Sequence, residues 1–449
     1  MKLARFASDS ALPVICSADV AVVGGGPGGL GAALMSARCG ARTVLVEAYG
    51  VPGGMAVIGE VQPFMISGTR QHPLDAPVYG EWKEAMLRYF PETVRSEIRT
   101  ATDYRNRAIN KAAAALAAED LLLESGVELL YHHRVVDARV ENGRIAELVC
   151  NARGGFGAIR AKVFVDCTGD GEVAALAGCP FDMGNENGGC QPMTLCFKLS
   201  HVKVPFVAGG EGERFIDPEW KRLLNVCYVR AREQGRLGCP REDVLLFPFQ
   251  IADEGVIHFN TTRVQGFDPT DGGSFSQAEI EGRRQMRELV KFLQDEVPGF
   301  ENSRLMSMAV QIGVRESRRI RGMYRLTAVD FAACSRFEDV IARCSYNIDI
   351  HSSRGAGTFL QNLKPGDFYE IPYRSIVPLG CANLTVGGRP VSADAIVYSS
   401  LRIMPVVCSI GQAAGMGAAV ALERHVDNGT IDSVEVHRRL IEAGAPLKH

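Results

Sequence analysis

The chain has 449 residues, of which 46% are hydrophobic and 22% charged, and its formal net charge is −3 at pH 7. This much apolar material is enough for a large buried core, which excludes an intrinsically disordered chain. The near balance of 49 basic and 52 acidic residues gives no electrostatic reason to expect a nucleic acid or a membrane as partner. Glycine stands out, because 48 glycines are about 11% of the chain and the usual level is roughly 7%.

The thirteen cysteines form no C-x-x-C pair, and Cys190, Cys196 and His201 match no common zinc or iron–sulfur spacing. No metal site is therefore predicted. The first seventeen residues lack the basic start and apolar stretch of a signal peptide, so we expect reduced thiols in a cytoplasmic protein. Residues 20–37 and 403–422 carry no charge, but glycines interrupt both stretches, and this pattern favours buried helices over membrane spans.

The predicted elements begin with a strand, a glycine loop, a helix and a second strand. The first strand is predicted over residues 19–23, the helix over 30–39 and the second strand over 43–47. This order indicates two parallel strands joined by a right-handed crossover. Residues 50–75 are rich in Gly and Pro, and a loop of that length in a compact domain is usually functional.

Helices and strands then alternate, with a change of character in the middle of the chain. Isolated strands and a long polar helix in the middle indicate a second domain inserted into the first. In chain order the later predictions are a helix over 108–125, a strand over 127–131, a hairpin turning at Asn142-Gly143, a strand over 161–166, a helix over 277–297, a strand over 384–386 and a helix over 411–423.

Gly24, Gly26 and Gly29 form a G-x-G-x-x-G motif between the first strand and the first helix. The first glycine permits the tight turn, the second lets a pyrophosphate approach the backbone, and the third lets helix and strand pack closely. Glu47 ends the next strand, where a carboxylate accepts hydrogen bonds from both ribose hydroxyls and repels a 2′-phosphate. The motif therefore predicts a dinucleotide site and disfavours NADP.

Two more glycine segments follow strands much later in the chain. Thr168–Gly171 follows the strand at 161–166, and Gly387-Gly388 follows the strand at 384–386. Three separated glycine segments around one extended ligand suit FAD better than NAD. No second G-x-G-x-x-G motif follows a strand, so a built-in NAD domain is not expected.

These segments give the chain a family resemblance. It resembles the bacterial FAD-dependent oxidoreductase family within the glutathione-reductase-like flavoproteins, on the side that includes fumarate reductase flavoproteins, whose substrates are mostly unassigned. The resemblance implies an α/β fold in which a discontinuous Rossmann-like FAD-binding domain, residues 1–185 and 371–449, is interrupted by an α+β substrate domain, residues 186–370. The matching segments are 22–47, 53–56, 166–178, 313–324, 346–351 and 384–417.

The resemblance also implies which residues meet FAD. The glycine loop would hold the pyrophosphate, the backbone of Val135 would pair with adenine, and Gly169 would line the adenosine side. Arg389 stands where many relatives have an Asp that accepts a ribityl hydroxyl, and a cation cannot accept that bond, so we place Arg389 near a phosphate instead. The predicted cofactor-binding residues are Gly24, Gly26, Pro27, Gly28, Gly29, Glu47, Gly53, Gly54, Met55, Val135, Gly169, Asp170, Gly388, Arg389, Gln412, Ala413 and Ala414.

The last predicted helix has a chemical interpretation. Reduced flavin is negatively charged near N1 and O2, and a helix N-terminus stabilises an anion. We expect the helix to begin at Gly411, so that Gln412, Ala413 and Ala414 form its first turn beside the flavin. A plain buried helix is the alternative.

Four side chains are candidates for catalysis. His351 ends an alternating strand and His258 lies in a similar one, although a histidine in such a place is more often structural than catalytic. Arg315 belongs to a basic run that a solvated surface also explains, but a planar guanidinium is well suited to binding a substrate carboxylate. Arg402 precedes the last predicted helix, and the resemblance implies that it lies near the flavin.

The predicted function is hydride transfer between flavin N5 and a small polar organic substrate, with oxidation of a C–H bond next to oxygen or nitrogen preferred. The expected electron acceptor is a diffusible molecule or a protein, and a homo-oligomer is possible. Two alternatives stay open. FAD could be structural or serve non-redox group transfer, including RNA modification, or the chain could be a flavin subunit that depends on a protein electron partner.

Overall fold

The structure is a computed structural model that describes residues 12–62, 64–65, 67–68, 73–90, 109–186, 188–208, 214–248 and 255–448. Its strands are β1 (Val14–Val23), β2 (Thr43–Glu47), β3 (Glu128–Tyr131), β4 (Arg134–Glu141), β5 (Arg144–Ala152), β6 (Gly155–Asp166), β7 (Phe181–Met183), β8 (Phe197–Ser200), β9 (Phe206–Ala208), β10 (Arg214–Ile216), β11 (Leu246–Pro248), β12 (Ile257–Phe259), β13 (Arg304–Met308), β14 (Arg318–Ile320), β15 (Val340–Cys344), β16 (Ile348–His351), β17 (Thr358–Gln361), β18 (Tyr369–Pro372) and β19 (Leu384–Val386). Its α-helices are α1 (Pro27–Arg38), α2 (Val78–Met86), α3 (Lys111–Glu124), α4 (Glu172–Leu176), α5 (Pro218–Glu233), α6 (Gly272–Glu296), α7 (Ala328–Ala332), α8 (Ala395–Leu401), α9 (Met404–Arg424) and α10 (Ser433–Glu442).

The largest sheet has the strand order β3-β2-β1-β6-β5-β4, with β19 pairing to β6. Strands β3, β2, β1, β6 and β19 are parallel, whereas β4, β5 and β6 form an antiparallel meander. Every residue of β2 is buried, as expected for a central parallel strand covered on both faces. The predicted strand, glycine loop, helix and parallel strand are thus confirmed, and the α/β fold with its Rossmann-like unit is confirmed with them.

Helices α1 and α9 pack on this sheet, and the backbones of the two helices contact each other. A Cβ added at Gly411 would overlap the carbonyl group of Gly28, and one added at Gly415 would overlap that of Ala32. These glycines therefore serve helix packing, because their lack of a side chain lets the two backbones touch. The prediction that the helix begins at Gly411 is wrong, since α9 begins at Met404.

The first hydrophobic core surrounds the largest sheet together with helices α1 and α9. A second hydrophobic core lies around the sheet β11-β12-β8-β13 and helices α5 and α6. Its buried members all come from residues 193–314, within the predicted inserted domain. Later buried residues of the predicted inserted domain, such as Val340 and Tyr369, pack in the first core together with β1 and α9. The boundaries at 186 and 370 stay a prediction.

Helix α9 is long and apolar enough, by length and composition, to cross a membrane. Nearly all of its residues are buried against other parts of the chain. Its apolar character is thus accounted for by its central place in the first core.

Candidate active site

A cavity of about 760 Å³ opens at the carboxyl ends of β1, β2, β6 and β19. This edge is where ligands bind in open α/β sheets, and the volume is within the usual range for a ligand site. The second core contributes one wall through Pro269, Thr270, Gly272 and Phe275, at the start of α6. The cavity therefore lies between the two cores.

The glycine loop shapes the floor of the cavity. Gly24 has φ +98°, and a Cβ there would overlap the carbonyl oxygen of Cys167 at the end of β6. Gly29 contacts the carbonyl oxygen of Gly24, whereas Gly26 faces the cavity and has its nearest neighbour, Gly54 Cα, 3.7 Å from an added Cβ. The first and third glycines thus permit tight packing and the second leaves room for a ligand, as the motif predicts.

The Glu47 side chain lies at the cavity wall and is only 6% exposed. Its carboxylate accepts hydrogen bonds from the backbone N–H of Gly25 at 2.6 Å and of Tyr49 at 2.9 Å. Burial raises the pKa of Glu47, and these hydrogen bonds partly oppose the shift. An anchored carboxylate beside an open glycine loop fits the adenosine ribose and pyrophosphate of a dinucleotide.

Most of the other predicted cofactor residues share this cavity, although Gly29, Gly53 and Gly388 do not line it. Gly53 has φ +107° and donates its N–H to the carbonyl oxygen of Gly25 at 2.7 Å, so it supports the glycine loop. The predicted residues that line the cavity are Gly24, Gly26, Pro27, Gly28, Glu47, Gly54, Met55, Val135, Gly169, Asp170, Arg389 and Arg402.

Gln412, Ala413 and Ala414 do not lie at a helix start. They are buried inside α9, and Gln412 Oε1 accepts the backbone N–H of Val78 at 2.7 Å. The first turn of α9 reaches the cavity instead, through Met404 and Val407. A helix N-terminus does face the cavity, but it lies two turns before the predicted one.

Arg389 lines the cavity, but its guanidinium is held by the protein. It donates to the Gly169 carbonyl at 2.7 Å, to Asp170 Oδ1 at 2.6 Å and to the carbonyl oxygen of Val314. These bonds tie the loop after β6 to the segment that leads into β14. Arg389 therefore orients Asp170, and its contact with a phosphate stays a prediction.

Arg402 pairs with the Asp349 carboxylate, and the charge of Arg315 also acts on this carboxylate. Arg402 Nη2 donates to the Asp349 carbonyl at 3.0 Å and lies 3.6 Å from Oδ2. The guanidinium of Arg315 bonds the Pro192 carbonyl at 2.8 Å and the hydroxyl of Thr194, both uncharged. Burial and the nearby Arg402 lower the pKa of Arg315. The two guanidinium groups thus lie near the single carboxylate of Asp349, and Arg402 lines the cavity.

The structure brings His351 into this group. Its Nε2 lies 3.5 Å from Asp349 Oδ1, and its Nδ1 lies 3.1 Å from Nη2 of Arg263. Burial and the charge of Arg315 lower the pKa of His351 to about 3, so the ring is neutral at pH 7. Asp349 and Arg263 were not predicted, because they become partners only when β16 meets the segment after β12.

His258 is placed elsewhere, on the face of the second-core sheet that carries Lys198 in register. The ring is fully buried, and this burial, together with the charge of Lys198, lowers the pKa of His258 well below its usual value. Lys198 forms a buried ion pair with Glu60, which has φ +44°, and Glu60 also accepts from Lys111 and from Ser307 at 3.1 Å. His258 thus belongs to a polar cluster around Glu60 and is separate from His351.

A family model described as FAD dependent oxidoreductase matches residues 19–440. The chain belongs to this family. FAD is its cofactor, and the chain is an FAD-dependent oxidoreductase. The narrower placement among glutathione-reductase-like flavoproteins stays a prediction.

A thiamine thiazole synthase of Aeropyrum pernix is 34% identical over 168 residues, which are 34% of this flavoprotein and 56% of that protein. The chain thus covers little more than half of this curated relative. A geranylgeranyl bacteriochlorophyll reductase-like protein from Thermoplasma acidophilum aligns with TM-score 0.45 and 14% identity, over 95% of this chain and 83% of the other. The p-nitrophenol 4-monooxygenase PnpA from Pseudomonas putida aligns with TM-score 0.44 and 13% identity, over 96% and 87%.

The Glu47 carboxylate gives a first testable expectation about FAD. Replacement of Glu47 by Gln removes the charge that accepts the ribose hydroxyls, and we expect FAD affinity to fall about 10- to 100-fold. In the native protein, affinity should rise as pH increases through the Glu47 pKa, since only the ionised form accepts from both hydroxyls. Fluorescence titration of FAD into the apoprotein measures both effects. An unchanged affinity in Glu47→Gln at all pH values contradicts the assignment.

Proposed function

We propose that this oxidoreductase transfers a hydride between flavin N5 and a small polar organic substrate that carries a carboxylate. The favoured direction is oxidation of a substrate C–H bond next to oxygen or nitrogen. FAD, when bound, supplies the hydride-accepting N5 atom. A diffusible molecule or a protein would then take the electrons.

One observation carries the carboxylate part of the proposal. Asp349 pairs with Arg402 and also feels the charge of Arg315. The other nearby carboxylate, that of Glu316, pairs with Arg319, so Arg315 and Arg402 keep a net positive charge. Burying a cation without its own counter-ion is unfavourable, and a bound anion offsets that cost. Arg402 Nε is buried without a hydrogen-bond partner, which leaves a donor for such an anion.

The protein's own residues have separate tasks in this proposal. The guanidinium of Arg402 binds the substrate carboxylate at the wall of the cavity, and Arg315 adds positive charge behind it. Two-point binding of a planar carboxylate fixes the orientation of the adjoining C–H bond. Phe275, near the start of α6, adds an apolar side chain to the cavity wall.

The test is an anaerobic screen in which bleaching of the flavin absorption reports substrate oxidation. Each 2-hydroxy or 2-amino carboxylate is compared with its amide, which has the same shape and no negative charge. We expect the carboxylates to reduce the flavin faster. Arg402→Met and Arg315→Met are each expected to lower kcat/KM about 100-fold or more.

Arg438→Met is the matched control, because Arg438 lies on the exposed side of α10 and, among the residues that the structure describes, pairs with Glu442 in the next turn. It should leave kcat/KM within about twofold of the native value. Equal rates with acids and amides, or an Arg402→Met variant as active as the control, would remove the support for an anionic substrate.

A further inference from the structure

A continuous line of contacts runs from the surface of the second core to the cavity. The exposed carboxylate of Glu242 lies 3.0 Å from Arg263 Nη1, and Arg263 is 1% exposed. Arg263 Nη2 reaches His351 Nδ1 at 3.1 Å, and His351 Nε2 faces Asp349 Oδ1 at 3.5 Å. Asp349 in turn holds Arg402 through its backbone carbonyl and its side chain.

The direction of these hydrogen bonds determines where the proton of His351 lies. A guanidinium only donates, so His351 Nδ1 accepts from Arg263 and carries no proton. Thr358 Oγ1 also lies 3.1 Å from Nδ1, but it gives its single proton to Glu242 at 3.0 Å. The proton of the neutral ring is therefore on Nε2, where it points at the Asp349 carboxylate.

We propose that His351 is a positioning residue that joins Arg263 to Asp349 as the neutral Nε2–H tautomer, and so orients the carboxylate that holds Arg402 in the cavity. The role of Arg402 toward substrate rests on the proposed function, whereas the tautomer and the contacts of His351 do not. In this arrangement neither ring nitrogen is free to remove a proton from a substrate. His351 is thus not the catalytic base that its place at a strand end suggested.

The tautomer can be observed directly in the FAD-loaded protein labelled with 15N-histidine. His351→Gln identifies the His351 resonances by their loss, with His437→Gln as a matched control on α10. We expect the proton on Nε2 and no titration as pH crosses the ordinary histidine value of about 6.5. A proton on Nδ1, or titration near that value, would overturn the proposal.

The positioning role is tested with benzoate as a simple carboxylate probe, followed by its perturbation of the flavin absorption band. Asp349→Asn is expected to weaken benzoate binding about tenfold, a typical loss for a coupled charged pair. Because Asp349 acts through Arg402, the double variant Asp349→Asn/Arg402→Met should bind no more weakly than Arg402→Met alone. If the losses of benzoate affinity in the two single variants simply add in the double variant, Asp349 does not act through Arg402, and the proposal is contradicted.

His351→Gln keeps an N–H donor near the position of Nε2, whereas His351→Phe has none. We expect the glutamine variant to bind benzoate more tightly than the phenylalanine variant and to keep the native pH profile of flavin reduction. Loss of one limb of that profile together with a rate more than about 100-fold lower would identify a catalytic base instead. If the native protein binds no carboxylate but shows the Nε2–H tautomer, the proposed substrate class is wrong, whereas the proposed link from Arg263 through His351 to Asp349 is supported.

Discussion

Replacing Glu60 with Gln is expected to lower the free energy of unfolding by about 3–5 kcal/mol. The Glu60 carboxylate is fully buried and pairs with the Lys198 ammonium group, which is 3% exposed. Without the carboxylate, the Lys198 ammonium group loses the buried Glu60 charge that opposes the lowering of its pKa by burial. Lys198 lies on β8, within the second core, whereas Glu60 lies between Val57 and Phe64 of the first core. The ion pair therefore joins the two cores, and its loss weakens their contact.

Urea denaturation of the FAD-loaded protein measures this change. The double variant Glu60→Gln/Lys198→Met replaces both members of the buried ion pair and should recover most of the stability. Asp295→Asn is the surface control, since its pair with Lys291 on α6 is solvent-exposed and contributes within about 0.5 kcal/mol. If Glu60→Gln is no less stable than Asp295→Asn, the Glu60–Lys198 ion pair does not stabilise the protein.

Replacing Gly411 with Ala is expected to destabilise the protein by about 3 kcal/mol and to weaken FAD binding. The added methyl group would overlap the backbone of Gly28, so α1 and α9 would have to separate. Gly28 lies in the first turn of α1 and lines the cavity, and its displacement moves N–H groups that the pyrophosphate uses.

The control for this variant is Gly80→Ala. Gly80 lies inside α2, and an added Cβ there has no atom within 4 Å. We expect this change to stabilise the protein by about 0.4–1 kcal/mol, because alanine lowers the conformational entropy of the unfolded chain. A Gly411→Ala variant that behaves like Gly80→Ala would show that α1 and α9 do not depend on their close contact.

The features that depend on adjacent residues were predictable from the sequence. The glycine loop between β1 and α1 and the carboxylate at the end of β2 lie within one short segment, and each residue type has a local physical reason. Arg402 was placed correctly at the cavity, but from the family resemblance. The prediction of where α9 begins was wrong, because Gly411 has the same appearance in sequence whether it starts a helix or packs against another one.

Partners from distant parts of the chain could not be predicted. Glu60 and Lys198 lie in different cores, and nothing in either segment marks the other as its counter-ion. Asp349 alternates with apolar residues in β16 as any exposed strand residue does, and only the fold shows that Arg402 and His351 both contact it. The uncharged tautomer of His351 depends on Arg263, a residue that no local pattern singles out.

The contact between α1 and α9 also affects the order in which the chain folds during its synthesis on the ribosome. Helix α1 emerges early, but α9 begins at Met404, and translation of the intervening chain takes on the order of tens of seconds. Until α9 has been synthesised, the glycine face of α1 lacks the helix against which it packs. The buried members of the second core all lie in residues 193–314, so they are synthesised before α9. The nascent chain is therefore expected to fold its middle first and to acquire FAD only after α9 has been released.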